Sequence, residues 1–260
     1  MLERFRLYRL WPEVEVHDDE DMLWTASNLP FAAFNTVHRA NLHPAAADAA
    51  ISRVVERCTA LHVPCLWWVG PLSRPSDLGA RLLAHGFQSG GEQPGMAANL
   101  DRLPSPAGPQ GLVVERVTDV LGLQHWWRIA CDINHRPREL VGPAARGYAT
   151  MSLAPNGAVR CYLGLWHGKP VATACLVLGA GVAGHYGVGT LAKARRMGIA
   201  TCLTLATLAD AVTAGFRFGV LRASSEGQAL YSRLGFKEYC RVATYLWPGP
   251  GDVRPHLGQG

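Results

Sequence analysis

The sequence predicts an α/β fold built from two tandem lobes. Its composition suits a protein with a large buried core, since 48% of the 260 residues are hydrophobic and 17% are charged. The apolar pattern alternates between strand spacing and helix spacing. The order helix, strand, helix, Gly-Phe, strand also occurs twice, with Gly86-Phe87 and Gly235-Phe236 about 149 positions apart, which favours a duplicated unit.

A segment rich in proline and glycine separates the two lobes. Residues 101–111 contain three prolines and two glycines and have no apolar periodicity, a composition typical of a stiff linker. We therefore predict an N-terminal lobe over residues 1–104, a linker over 105–111 and a C-terminal lobe over 112–260.

The first lobe has the pattern of two helices and two strands. Apolar residues at helical spacing predict helices over Ala45–Leu61 and Asp77–His85. An uninterrupted apolar run predicts a strand over Cys65–Val69, and a second strand is predicted near Met96–Leu100.

The second lobe has the same order of elements after an additional helix and hairpin. Asp119 can cap the first helix of this lobe, and the turn His167–Pro170 joins two strands into a hairpin. The predicted elements are a strand over Leu112–Val117, a helix over Val120–Asn134, strands over Val159–Trp166, Val171–Leu178 and Gly184–Leu191, a helix over Ile199–Ala214, a strand over Phe218–Leu221, a helix over Gln228–Leu234 and a strand over Tyr239–Trp247.

Charge and cysteine usage exclude several classes of protein. There are 25 basic and 20 acidic residues and no run of Lys or Arg longer than two, so we expect no nucleic-acid partner. No apolar stretch approaches the roughly 20 residues of a membrane span, and the first residues lack the continuous apolar segment that a signal peptide would have. We therefore expect a cytoplasmic protein without a membrane partner. The seven cysteines form no CxxC pair, so we expect no metal site.

The clearest chemical signal is the hexapeptide Arg195–Ala200, between a glycine-rich strand and a long helix. Gly198 and Ala200 leave the backbone N–H groups of the helix start accessible. A helix N-terminus attracts anions such as a pyrophosphate, and Arg195 and Arg196 can add charge-assisted hydrogen bonds. The alternative is an ordinary helix start with two solvated arginines.

With its flanking elements, this segment resembles the GNAT superfamily of acyl-CoA-dependent N-acyltransferases. The phosphate loop of that family, Gln/Arg-x-x-Gly-x-Gly/Ala, is matched by Arg195, Gly198 and Ala200. The family's later helix, Leu-Tyr-x-x-x-Gly-Phe, is matched over Leu230–Phe236. The resemblance covers about residues 112–247. It implies a mixed, mostly antiparallel sheet flanked by helices, in a monomer or homodimer.

The resemblance also implies which residues bind the cofactor. Backbone groups on the strand before the loop would bind the pantetheine arm of acetyl-CoA, namely those of Val188, Gly189 and Thr190. The loop and the start of the helix would bind the pyrophosphate through Arg195, Arg196, Met197, Gly198, Ile199, Ala200 and Thr201. Ser224 or Ser225 lies where many members have an asparagine that contacts the cofactor.

Three residues are candidates for proton transfer. In the family, the residue at the position of Tyr231 lies near the thioester sulfur and can protonate the departing thiolate. His185 and Glu226 are the candidates for the base that takes a proton from the amine, and an imidazole has a suitable ordinary pKa of about 6.5. Each of the three could instead be an ordinary core or surface side chain.

The first lobe lacks the phosphate-loop signature. His43–Ala47 precedes its matching helix, and Pro44 has no N–H group to donate. We therefore predict a degenerate copy that binds no cofactor. The expected function is N-acetyl transfer from acetyl-CoA to an amine of a small molecule or peptide, by direct attack in a ternary complex. The alternative is a non-catalytic acyl-CoA-binding sensor.

Overall fold

The computed structural model describes residues 2–154 and 157–250, which fold into two compact units. The N-terminal unit combines Leu2–Pro94 with the described residues from Cys240 onward, and the C-terminal unit comprises Gly95–Tyr239. The predicted linker contains no helix or strand. The predicted lobe limits, 1–104 and 112–260, stay a prediction.

The two halves of the chain contain the following helices and strands. The first half has α1 (Leu2–Leu7), β1 (Val14–Asp18), β2 (Leu23–Ser27), β3 (Thr36–His38), α2 (Ala47–Leu61), β4 (Cys65–Val69), α3 (Leu78–Ala84) and β5 (Gln88–Asn99). The second half has β6 (Leu112–Arg116), α4 (Val120–Ile133), α5 (Val141–Ser152), β7 (Val159–Trp166), β8 (Lys169–Gly179), β9 (Val182–Thr190), α6 (Ile199–Thr213), β10 (Phe218–Arg222), α7 (Ser225–Arg233) and β11 (Lys237–Trp247).

Each unit contains a mixed, mostly antiparallel sheet flanked by helices, as predicted. In the N-terminal unit the described strands lie in the order β1-β2-β3-β4-β11, and β3 and β4 are the parallel pair. In the C-terminal unit the order is β5-β10-β9-β8-β7-β6, and β9 and β10 are the parallel pair. The predicted α/β fold of two similar lobes is therefore confirmed.

The long helix of each unit packs on its sheet through apolar side chains. In α2 these are Ala47, Ala50, Ile51, Val54 and Cys58, whose spacing is that of one helix face. In α6 they include Leu203, Leu208 and Ala211, each completely buried. Burial of an aliphatic side chain of this size stabilises a fold by about 1.5–3 kcal/mol, so each helix is held mainly by this face.

One edge strand of each sheet comes from the other half of the chain. The end of β5 pairs with β10, from Phe218↔Asn99 to Arg222↔Gly95. The end of β11 pairs with β4, from Ala243↔Val69 to Trp247↔Cys65. The exchanged strand also contributes to the core of the C-terminal unit, where Met96, Ala98 and Leu100 are buried. The sequence analysis did not predict this exchange.

The repeated Gly-Phe pair ends a helix in the same way in both units. Gly86 and Gly235 have φ values of 85° and 90°, the left-handed conformation that glycine favours after a helix. The N–H of the following phenylalanine donates to the carbonyl of Leu82 in the first unit and of Tyr231 in the second, at 3.0 Å each. Leu82 and Tyr231 are therefore equivalent positions.

The largest omission of the sequence analysis in the second half is α5. This helix contains Gly142, Pro143 and Gly147, which have low helix propensity. Pro143 lies in the first turn, where a missing N–H costs no intrahelical hydrogen bond. Burial of Tyr148 and Met151 compensates for the weak propensity.

The strand exchange predicts how the chain responds to division. Fragment 112–260 lacks the β5 segment that pairs with β10, and fragment 1–104 lacks β11. We expect each fragment alone to be unfolded or aggregated, and co-expression of the two to restore a folded complex, measured by circular dichroism and gel filtration. Cooperative unfolding of fragment 112–260 alone, at the thermal midpoint of the intact chain, would contradict this expectation.

Candidate active site

The parallel strands β9 and β10 separate in the middle of the C-terminal sheet. They pair at Gly219↔Ala183 and Val220↔Gly184 and no further in the part of the chain that the structure describes. The opposite edge of β9 stays paired with β8 as far as Ala172↔Thr190. Beyond these two pairs, the edge of β9 over residues 187–190 that faces β10 has no strand partner among the described residues, so it can bind an extended ligand.

A β-bulge bends β9 at the start of this open edge. The register with β8 shifts between Thr173↔Gly189 and Cys175↔Tyr186, and Gly187 has a φ of +59°. Two side chains hold the bulge. The indole N–H of Trp126 donates to the carbonyl of Ala174, and the hydroxyl of Thr173 donates to the carbonyl of Gly187, each at 2.9 Å. The bulge is thus a specified feature of the strand.

The N-terminus of α6 follows the end of β9. No side chain caps this helix, and Gly198 at the cap position has a φ of +78°, so the N–H groups of the first turn have no intrahelical acceptor. A Cβ on Gly198 would meet nothing within 4 Å. Arg196 and Met197 are exposed beside it. The N–H groups of this helix start are accessible and lie at the electropositive end of the helix, an arrangement that favours an anion.

Arg195 ties the loop to the strand. Its Nε donates to the carbonyl of Thr190 at 3.1 Å, so the last residue of β9 and the first residue of the hexapeptide are held together. The predicted strand and loop residues therefore form one continuous surface. Val188, Gly189 and Thr190 lie on β9 beyond or at the bulge, and Arg195, Arg196, Met197 and Gly198 form the loop.

The remaining predicted cofactor residues differ in accessibility. Ile199 is buried in the core, so only its backbone N–H can face a ligand, and Ala200 and Thr201 are half-buried in the first turn. Ser224 caps α7, where its hydroxyl accepts a hydrogen bond from the N–H of Gly227 at 3.2 Å. Ser225 is exposed at the first residue of α7, which makes its hydroxyl the more accessible of the two.

Tyr231 lies on α7 and is 7% exposed. Its ring contacts Phe236 and His185 in edge-to-face geometry, with centroid distances of 5.8 Å and 6.4 Å. Burial raises the pKa of its phenol to about 12. The phenol is therefore protonated at neutral pH, and no hydrogen bond in the described part of the chain engages it.

His185 is the residue after the last pairing between β9 and β10, and it is 2% exposed. Its Nε2 lies 2.9 Å from the hydroxyl oxygen of Thr207 on α6, and its Nδ1 is buried without a hydrogen-bond partner among the described residues. Burial lowers its pKa to about 3, so the imidazole is neutral at physiological pH.

The rings of His185 and Tyr231 are in contact, and Glu226 precedes Tyr231 on α7. Glu226 lies in the first turn of α7 and is exposed. It makes no ion pair or hydrogen bond in the described part of the chain. The side-chain candidates for a base are therefore one buried imidazole and one solvent-exposed carboxylate.

In the N-terminal unit, the equivalent gap between parallel strands is filled by the chain itself. The pairs Thr36↔Leu66 and Val37↔Trp67 match the two pairs of β9 and β10. Beyond them, the N–H of Arg74 donates to the carbonyl of Ala40 at 2.9 Å, and its carbonyl accepts from the N–H of Leu42 at 3.2 Å. Arg74, in the connection between β4 and α3, thus pairs with the segment of the N-terminal unit that is equivalent to the open edge of β9.

The helix start of the N-terminal unit also differs. Asp48 lies in the first turn of α2, where it contacts Arg81, and where its Oδ1 is 3.1 Å from Nε2 of His85. A carboxylate at this position repels a second anion. Leu82 replaces the tyrosine. The N-terminal unit therefore lacks the open strand edge and the tyrosine of the C-terminal unit, and its helix start, which also has no side-chain cap, carries a carboxylate.

Two negative findings apply to residues 2–154 and 157–250. None of the helices there is long and apolar enough to cross a membrane. No group of three or more His, Cys, Asp or Glu side chains is placed to hold a metal ion within those ranges.

The fold is similar to that of solved GCN5-related N-acetyltransferases. A GCN5-related N-acetyltransferase from Kribbella flavida superposes with a TM-score of 0.72 at 19% identity, over 96% of this chain and 95% of that chain. One from Sphaerobacter thermophilus gives a TM-score of 0.62 at 17% identity, over 94% of this chain and 85% of that chain. A solved protein with two such domains in one chain provides a further example.

That example is a tandem GNAT protein from the clavulanic acid biosynthesis pathway, with a TM-score of 0.60 at 16% identity over 93% of this chain and 85% of that chain. No protein-family model and no curated protein matches the sequence. The recognition of a GNAT fold from the phosphate loop and the Leu-Tyr-x-x-x-Gly-Phe helix is therefore confirmed at the level of structure.

Proposed function

We propose that the chain is an N-acetyltransferase that transfers an acetyl group from acetyl-CoA to an amine of a small molecule or peptide. One observation carries this proposal. The open edge of β9 over residues 187–190 runs from the side of the buried Tyr231 to the uncapped N-terminus of α6, so a hydrogen-bonding edge for an extended chain would end at a site for an anion. Acyl-CoA has its groups in the same order, because its pantetheine arm contains amides and ends in a pyrophosphate.

The donors and acceptors of the site fit this ligand. Backbone groups of Val188, Gly189 and Thr190 on the open edge of β9 would bind the amides of the pantetheine arm. The N–H groups of the α6 start, with Arg196 and the exposed Ser225, would bind phosphate oxygens. The thioester would then lie at the closed end of the gap, beside Tyr231.

The reaction needs one proton donor and one proton acceptor. The amine nitrogen attacks the thioester carbonyl carbon, the C–S bond breaks, and the sulfur leaves with the electron pair. Tyr231 keeps its proton at neutral pH and can donate a hydrogen bond to this sulfur. The amine loses a proton as the amide forms, and we propose Glu226, directly or through water, as the side chain that accepts it.

The N-terminal unit would take no part in binding acetyl-CoA. Arg74 occupies the equivalent strand edge, and Asp48 occupies the equivalent helix start. The proposal is therefore one acetyl-CoA for each chain, bound by the C-terminal unit.

The phosphate cradle can be tested at Gly198. Gly198→Glu places a carboxylate at the anion site, so we expect loss of the thermal stabilisation by acetyl-CoA, which for wild type is about 2.7 kcal/mol at 100 times Kd. Differential scanning fluorimetry with acetyl-CoA measures this. Gly198→Ala is the matched control, because it has the same backbone strain at φ +78° without a charge, and it should still bind. Ala46→Glu places the same charge at the α2 start and should also bind. Wild-type affinity in a folded Gly198→Glu variant would overturn the assignment.

The leaving-group role can be tested at Tyr231. Tyr231→Phe keeps the ring and its contacts with His185 and Phe236 but removes the hydroxyl. We expect kcat to fall by about 100-fold or more, with little change in the affinity for acetyl-CoA. Steady-state kinetics on an amine found by screening measures both. Because the pKa of this phenol is about 12, its ionisation should cause no loss of rate in wild type below about pH 10. An unchanged kcat in Tyr231→Phe would remove this residue from the mechanism.

A further inference from the structure

The proton positions around His185 follow from one hydroxyl group. Thr207 Oγ1 donates to the carbonyl of Thr204 at 2.9 Å, so at 2.9 Å from His185 Nε2 the same oxygen is the acceptor. Nε2 therefore carries the hydrogen of the neutral ring, and Nδ1 carries the lone pair. That lone pair is buried and has no donor in the described part of the chain.

An imidazolium at this position would have no counter-charge. The ring is faced by the phenol of Tyr231 from α7, the hydroxyl of Thr207 from α6 and the side chain of Leu176 on β8. None of these groups is charged at neutral pH. Protonation would bury a positive charge among uncharged groups, and the pKa lowered to about 3 by burial has this cause. His185 is thus poorly suited to accept the proton of an amine.

A similar histidine occurs in the unit that lacks the site. His38 follows the pair Val37↔Trp67 as His185 follows Gly184↔Val220. It is also 2% exposed, and its Nε2 lies 3.0 Å from a threonine hydroxyl, that of Thr36. The strand gap beside it is filled. A buried histidine bonded to threonine at this position therefore does not depend on proton transfer.

We propose that His185 is a positioning residue for Tyr231 and does not accept the proton of the amine. This inference rests on the proposed function, because Tyr231 is assigned there to the leaving sulfur. Thr207 fixes one end of the imidazole to α6, and the ring meets Tyr231 at an interplanar angle of 88°. The phenol is thereby held at the closed end of the strand gap. Small displacements of a reacting group can cost large factors in rate.

The kinetic test removes the bond that orients the ring. Thr207→Val keeps the shape of the side chain but loses the hydroxyl, and Thr207→Ser keeps the hydroxyl. We expect Thr207→Val to lower kcat about tenfold with KM for acetyl-CoA unchanged, and Thr207→Ser to retain kcat. In the Tyr231→Phe background, Thr207→Val should have no further effect on kcat. An equal fall in both backgrounds would overturn the inference, because it would indicate a general structural role.

The pH test distinguishes a positioning residue from a base. His185→Gln cannot act as a base, yet it keeps a donor for Thr207. We expect kcat to fall about tenfold, as in Thr207→Val, because the ring that contacts Tyr231 is lost, and we expect the acidic limb of the kcat/KM profile to remain. A fall of about 100-fold together with loss of that limb would identify His185 as the base.

A spectroscopic test needs no acceptor substrate. We expect the ¹⁵N signals of the His185 ring in the full chain to report a neutral imidazole, protonated at Nε2, from about pH 8 to about pH 5. A ring that titrates between about pH 6 and 7.5 would overturn the inference. If Tyr231→Phe keeps full activity, the proposed leaving-group role fails, while the protonation state of His185 is still decided by this experiment.

Discussion

The early end of pairing between β9 and β10 is the constraint on which the site depends. Parallel strands normally satisfy each other's backbone groups along their shared length, and unsatisfied groups carry a free-energy cost. Here the pairing ends at Gly184↔Val220, and β9 continues to Thr190 with an edge over residues 187–190 that no strand of the described chain covers. The bulge at Gly187, held by Trp126, bends the strand within this stretch. The same feature that costs sheet hydrogen bonds leaves an edge able to bind a ligand.

The two units differ in what covers this edge of the parallel strand pair. Both have the parallel strand pair, the long helix and the Gly-Phe helix ending. In the N-terminal unit, Arg74 supplies the missing backbone partners and Asp48 supplies the anion at the helix start. In the C-terminal unit neither group has a counterpart on the described chain, and a tyrosine replaces Leu82. The comparison within one chain thus supports a single binding site.

Much of the fold could be predicted from local patterns. The strand Cys65–Val69, the strand Val159–Trp166 and the start of α6 are where the sequence predicts them, since each has strong periodicity and clear end signals. Helix α5 was missed because its glycines and proline hide a helix that tertiary packing stabilises. The exchange of β5 and β11 depends on pairing between residues more than 100 positions apart, and no local signal encodes such pairing.

Only part of the candidate site could be predicted from the sequence. The loop residues could be found because a glycine cap and adjacent arginines have local chemical meaning. The burial of His185 could not, because it depends on α6 and α7, which follow it in the chain. The gap-filling role of Arg74 also depends on a hydrogen bond to a distant segment, at Ala40. Accessibility and charge compensation are properties of the folded chain, and they decide which candidate residue can do which chemistry.

We propose that acetyl-CoA binds along β9 and the start of α6 and leaves the matching segment of the N-terminal unit unoccupied. Hydrogen–deuterium exchange of the full chain with and without acetyl-CoA tests it most directly. We expect slower amide exchange over residues 186–203 on ligand addition, and no change over residues 40–50. Protection over residues 40–50, or unchanged exchange over 186–203 at a saturating concentration of ligand, would contradict it.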